Sequence, residues 1–155
     1  MNYREWKEKE QEEFNKLPIF FAFSDRQFKE AMQQRGLTME DKDKVMRYGD
    51  TGGFFLKKDR QIIQDYHNRP NELLELMKDP EFAENAFLYE MSNHEYCINW
   101  QGDWDVCSCF GRCKYEDGKG ALSYLQEMGY GVETLQAWQT ARQKYYKMVD
   151  EGEYY

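Results

Sequence analysis

The sequence predicts an α+β fold, mostly helical, in a single domain over residues 1–155 with a small antiparallel sheet. Amphipathic stretches at helical spacing dominate the chain, and two short apolar runs bounded by turn residues read as strands. Residues 95–110 alternate around "QGD", as a hairpin does. A length of 155 residues suffices to bury a substantial core, and 17% aromatic side chains with only three prolines argue for a folded chain.

Taken in order, "NYREWKEKEQEEFNK" is a polar amphipathic helix with Trp6 and Phe14 among its apolar anchors. "LPIFFAF" reads as a buried strand over Leu17–Phe23. Ser24 and Gln27 fit a capping box for the helix "DRQFKEAMQQR", which Gly36 ends. Thr38 and Asp41 announce a second helix, running to about Tyr48. "GDTGG" then turns the chain into a strand at Phe54–Lys57. Its glycines lack the lysine-serine signature of a phosphate loop, and positive φ in a turn is the better reason for them. Residues 59–78 are helical with a break at Pro70, and His67 falls on the polar side. Asp79 caps a helix whose first residue is Pro80, with Glu81 and Glu84 favouring its dipole. After the cysteine-rich stretch come two helices joined at Gly129-Tyr130-Gly131, the first carrying Leu122 and Leu125, the second Val132, Leu135, Trp138, Tyr145 and Met148.

In the 95–110 hairpin, a three-residue loop at Gln101–Asp103 sets Trp100 opposite Trp104, Ile98 opposite Val106 and Cys97 opposite Cys107. Cys97, Cys107 and Cys109 then share one face, which invites a zinc site with His94. The spacing argues against it, since structural zinc sites use paired C-x₂₋₄-C knuckles and these cysteines lack that rhythm. Small apolar filling is the expected role for the cysteines. A Cys/His nucleophile needs a helix N-terminus or a neighbouring cation, and Cys97, Cys107 and Cys109 have no Lys or Arg near them in sequence. Asp103 and Asp105 on a hairpin tip lack the pocket that paired-carboxylate chemistry requires. No catalytic constellation, no cofactor and no enzymatic activity is expected.

Charge is the stronger pointer. The net formal charge is -8, which disfavours direct nucleic-acid binding. Between Asp79 and Gly111 stand seven acids and no Lys or Arg, the mark of a chain that meets a cationic partner. The opening "MNYREWKEKEQEEF" lacks an apolar h-region, and no run approaches the roughly 20 apolar residues of a membrane span. The expected setting is the cytoplasm, with reduced thiols and no membrane.

"FFAFSDRQFKEAMQQRGL", "GGFFLKKD" and above all "FLYEMSNHEYCI" resemble a family of small proteins from phages and mobile elements of gut Firmicutes. The most specific part is Asn-His-Glu-Tyr at Asn93, His94, Glu95 and Tyr96, and the resemblance covers about residues 1–98. Some small acidic proteins of that setting are anti-CRISPR proteins that inhibit Cas9. The resemblance therefore implies an inhibitory binding protein in the cytoplasm of an infected or lysogenic host. Its acidic face would cover a basic nucleic-acid-binding surface, with Cas9 and its guide RNA as partner. The expected contacts are Glu90, Glu95, Asp103 and Asp105, with Trp100, Trp104 or Tyr96 as aromatic anchors. The acidic first helix around Glu8, Glu10, Glu12 and Glu13 is the alternative surface. A metal-binding or enzymatic module centred on His94, Cys97, Cys107 and Cys109, or a phage accessory protein with another partner, is the alternative function.

Overall fold

A computed structural model describes residues 1–116 and 118–152. The fold is mostly helical α+β with one small antiparallel sheet. Its backbone gathers into two compact units, one of residues 1–9 and 71–155, the other of residues 10–70. Helix α1, Tyr3–Asn15, contributes its first turns to one unit and its last turns to the other.

In the unit of residues 10–70, strands β1 (Phe20–Phe21), β2 (Val45–Tyr48) and β3 (Gly53–Leu56) lie in the order β1-β3-β2, all antiparallel. Helix α2, Asp25–Gln34, starts on Ser24, whose hydroxyl accepts from the Gln27 amide at 3.2 Å. The Gln27 side chain reaches back to the Phe23 amide at 2.8 Å. Thr38 and Asp41 form the expected capping box, yet the helix it opens is a 3₁₀ stretch that ends at Lys44. "VMRY" is strand β2, not the end of a helix. Its register sets Val45 against Leu56 and Tyr48 against Gly53, and "GDTG" is the turn between the two strands. Gly49 and Gly52 have φ of 55° and 79°, and a Cβ at Gly52 would lie 2.3 Å from the Phe23 ring. The segment expected as one broken helix is α3, Arg60–His67, then α4, Glu72–Leu76. His67 is not simply solvated: its Nε2 lies 2.7 Å from the Tyr48 hydroxyl, and the rings stack.

The unit of residues 1–9 and 71–155 carries the main core. Helix α5, Pro80–Asn93, opens on Asp79 and Pro80 as expected. Its buried stripe is Phe82, Ala83, Ala86, Phe87, Glu90 and Met91, the repeat of a helix face turned inward. It packs along α8, Val132–Asp150, where Ala137, Trp138, Ala141 and Tyr145 are buried. Phe87 meets Trp138 edge-on at 5.0 Å and Phe110 at 4.9 Å.

The expected hairpin at 95–110 is absent. Helix α6, Gly102–Cys107, and a 3₁₀ turn at Ser108–Phe110 occupy it, and α7, Ala121–Glu127, follows. Gly102, Val106, Cys107 and Phe110 are the buried residues of these two elements, at i, i+4, i+5 and i+8, which is helical spacing. Trp100 and Trp104 are therefore no cross-strand pair. Cys97, Cys107 and Cys109 do not share a sheet face. The alternation of Tyr96, Ile98 and Trp100 misleads because these residues do not face one way: Tyr96 is 8% exposed and Trp100 77%.

The Asn-His-Glu-Tyr stretch is the C-terminal cap of α5. The Tyr96 amide donates to the Met91 carbonyl at 3.0 Å and the Glu95 amide to Ser92 at 3.4 Å, the Schellman pairing. It places Glu95 at φ 50°, where glycine is usual, and drives the Tyr96 ring into the core. Glu95→Gly should keep stability unchanged or raise it by up to about 1 kcal/mol, and β-branched Glu95→Val should lower it by about 1–2 kcal/mol. Urea melts of the two variants beside wild type check this ordering.

Candidate functional site

Glu90 lies in the apolar stripe of α5, and its side chain is 1% exposed. A lone carboxylate there would lose several kcal/mol of hydration, so its partners define the site. Oε1 accepts from the Lys7 ammonium of α1 at 2.8 Å. Oε2 accepts from the Cys109 thiol at 2.8 Å and lies 3.4 Å from His94 Nε2. Cys109 Sγ is in turn 3.4 Å from the same His94 nitrogen. Tyr3, one turn before Lys7, is buried with its hydroxyl hydrogen-bonded to Glu90. The Lys7 ammonium also stands over the Tyr3 and Tyr89 rings, 5.6 and 5.2 Å from their centroids.

Burial alone would raise the Glu90 carboxyl. The Cys109 and Lys7 hydrogen bonds, then the charges of Lys7 and His94, outweigh it and hold the group below the ordinary glutamate range. Burial, and then the Glu90 carboxylate, push the Cys109 thiol up to about 12. A thiol that donates to a carboxylate is not a ready nucleophile, whatever the nearness of His94.

A second polar cluster braces the chain after α5. The Tyr96 hydroxyl donates to Asp103 Oδ1, and Arg142 hydrogen-bonds to Tyr96. Asn99 donates to Asp105 Oδ2 at 2.8 Å and to the His94 carbonyl at 3.1 Å. Gly102 fits closely here, since a Cβ would come 2.8 Å from the buried Tyr96 ring.

The residues expected to meet a partner thus part company. Glu90 is withdrawn by burial and holds its bonds inside the protein, and the Tyr96 ring is core. Asp103 and Asp105 are half-buried and bonded to Tyr96 and Asn99. Trp104 is half-buried, its ring edge-on to Tyr115 at 5.0 Å. Glu95 is exposed, as is Trp100, which leans on Tyr115 at 5.9 Å beside the 74% exposed Ile98. Of the four residues considered for a metal, His94 and Cys109 lie in the Glu90 cluster. Cys107 is fully buried with its free thiol donating a hydrogen bond to that of Cys113, and the Cys97 amide donates to the Tyr145 hydroxyl.

Sequence reasoning missed Lys7 and Tyr3 and gave Glu90 the wrong surroundings. The signal was present: Glu90 falls in register with Phe82, Ala83, Ala86, Phe87 and Met91, and Lys7 stands one helical turn after Tyr3.

Fold and site together define a helical α+β protein whose larger unit holds a Glu-His-Cys cluster, the glutamate buried and its two companions half-buried. Residues 2–111 match the model of DUF7659, a family of unknown function, and the chain belongs to that family. The match takes in Tyr3, Lys7, Glu90, His94 and Cys109. No curated protein and no solved structure matches the chain.

Because its folded-state value lies below its unfolded one, ionised Glu90 stabilises the fold above the ordinary carboxylate range, and that stability is lost as pH falls through the folded value. Lys7→Met removes the cation, leaves burial less opposed and so raises the carboxyl from its wild-type value. The variant should lose about 2–3 kcal/mol at pH 7, the low side for a broken buried pair because Lys7 is 38% exposed. It should recover part of that loss near pH 5, where a raised Glu90 takes up a proton. Urea melts at the two pH values decide it: an unchanged stability, or a larger loss at pH 5, contradicts the assignment.

Proposed function

We propose that this protein works by stoichiometric binding, docking on a partner with a basic surface through the exposed edge formed by Ile98, Trp100 and Tyr115. One observation carries the reading. The unit of residues 1–9 and 71–155 holds 10 basic and 18 acidic side chains, so the whole net charge of -8 resides in the unit that carries Trp100. The other unit, with 11 of each, is neutral.

Trp100 at 77%, Ile98 at 74% and Tyr115 at 47% exposure give large apolar area beside acidic chain, the composition of an anchored, electrostatically steered contact. Exposed Glu95 and half-buried Asp105 flank Trp100 in sequence and supply rim charge. The same charge disfavours direct binding to a phosphate backbone. No helix among the described residues is long and apolar enough to cross a membrane. The phage-element resemblance makes Cas9 with its guide RNA the first partner to assay, as an inhibitory target whose basic channels suit an acidic surface.

The test is DNA cleavage by Cas9 and guide RNA, titrated with wild type and Trp100→Ala. Wild type should inhibit, less strongly as salt rises, and Trp100→Ala should need about 30-fold more protein at an unchanged melting temperature. No inhibition by wild type at large molar excess contradicts Cas9 as the partner. Equal inhibition by Trp100→Ala contradicts this surface.

A further inference from the structure

We propose that Glu90, His94 and Cys109 form a three-ligand site for a zinc-class divalent cation, with a fourth position for water or a small ligand. The donors converge without rearrangement of the backbone. Glu90 Oε2, His94 Nε2 and Cys109 Sγ are the three atoms, and all lie within 4.8 Å of one another.

Their separations can be set against the bonds they would make. Zinc bonds of about 2.3 Å to sulfur, 2.05 Å to nitrogen and 2.1 Å to oxygen, at tetrahedral angles, separate N and O by about 3.4 Å and place S about 3.6 Å from either. In the structure N and O are 3.4 Å apart, S and N 3.4 Å, S and O 2.8 Å. Two edges of the tetrahedron are already near their bonded lengths. The third is short because the thiol proton lies along it, and that proton leaves when the metal binds. The balance is simple: the S–H bond breaks, as does the Nε2–H bond of a protonated imidazole, the protons go to solvent, metal–sulfur, metal–nitrogen and metal–oxygen bonds form, and no electron changes hands.

Chemistry of the donor set selects the ion. One thiolate, one imidazole and one carboxylate suit zinc and cobalt(II), not the all-oxygen preference of magnesium or calcium. The supporting residues divide the carboxylate between two tasks. Lys7 holds Oε1, which fixes the group as a one-oxygen ligand and leaves Oε2 turned to the histidine and the thiol. Glu90, in the last turn of α5, and His94, its C-terminal cap, stand at i and i+4, the spacing by which a helix end offers two ligands to one ion. Cys109 comes from the 3₁₀ turn at Ser108–Phe110. His94 is 31% exposed while Glu90 is 1%, so ion and fourth ligand enter past the histidine.

The experiment is a titration of the full chain, kept reduced, with cobalt(II), followed by the thiolate-to-cobalt charge-transfer absorption. The expected result is a band that saturates at one cobalt per chain and disappears when one equivalent of zinc is added. Cys109→Ala should abolish it. His94→Gln, at the exposed side of the site, should weaken binding at least about tenfold. Cys97→Ala and Cys113→Ala should retain it. Thermal melts establish that each variant is folded, and His94→Gln keeps the test decisive should Cys109→Ala be unstable. No band at tenfold cobalt excess, or a band that survives both Cys109→Ala and His94→Gln, overturns the proposal.

Discussion

The buried carboxylate of Glu90 is the constraint round which the larger unit is organised. An ion in the apolar stripe of α5 is tolerated only where cations and donors surround it, and every one of its partners comes from a definite place. Lys7 and Tyr3 bring in the first turns of α1, His94 fixes the end of α5, and Cys109 fixes the turn after α6. Loss of any one leaves the buried carboxylate short of a partner. The arrangement explains why the first nine residues pack with residues 71–155, far away in sequence.

The Asn-His-Glu-Tyr stretch gains a physical meaning from the same place. Asn93 ends the helix, His94 is its cap and faces Glu90, Glu95 takes the left-handed turn, and Tyr96 plugs the core with its hydroxyl on Asp103. All four residues therefore have a structural task, and His94 in addition has a ring nitrogen turned toward Glu90 and Cys109. The motif ends a helix and aims an imidazole.

Much of this was legible in the sequence where a local rule decides the outcome. Ser24, Thr38, Asp79 and Pro80 mark helix starts because capping is a contact between near neighbours, and the structure keeps all of those starts. Length and partner are another matter. The box at Thr38 says where a helix begins, but pairing of "VMRY" with β3 decides that it stops at Lys44. In residues 95–110 the alternation of large apolar residues suggests strands, whereas the core takes Tyr96 alone from that alternation and then Val106, Cys107 and Phe110 at helical spacing. The site was half legible. His94 and Cys109 stood out by type, but Glu90 looked like a surface acid and Lys7 an ordinary helix charge until the fold brought α1 against α5.

Ionisation of buried Glu90 is the central claim, for only a charged carboxylate accounts for both the Lys7 ammonium and the thiol donor beside it. Following the Glu90 side-chain carboxyl carbon by NMR as pH is varied measures this directly. The account predicts a midpoint below the ordinary glutamate value of 4.5. A midpoint above it would show that burial outweighs its partners, and would contradict the ionised centre.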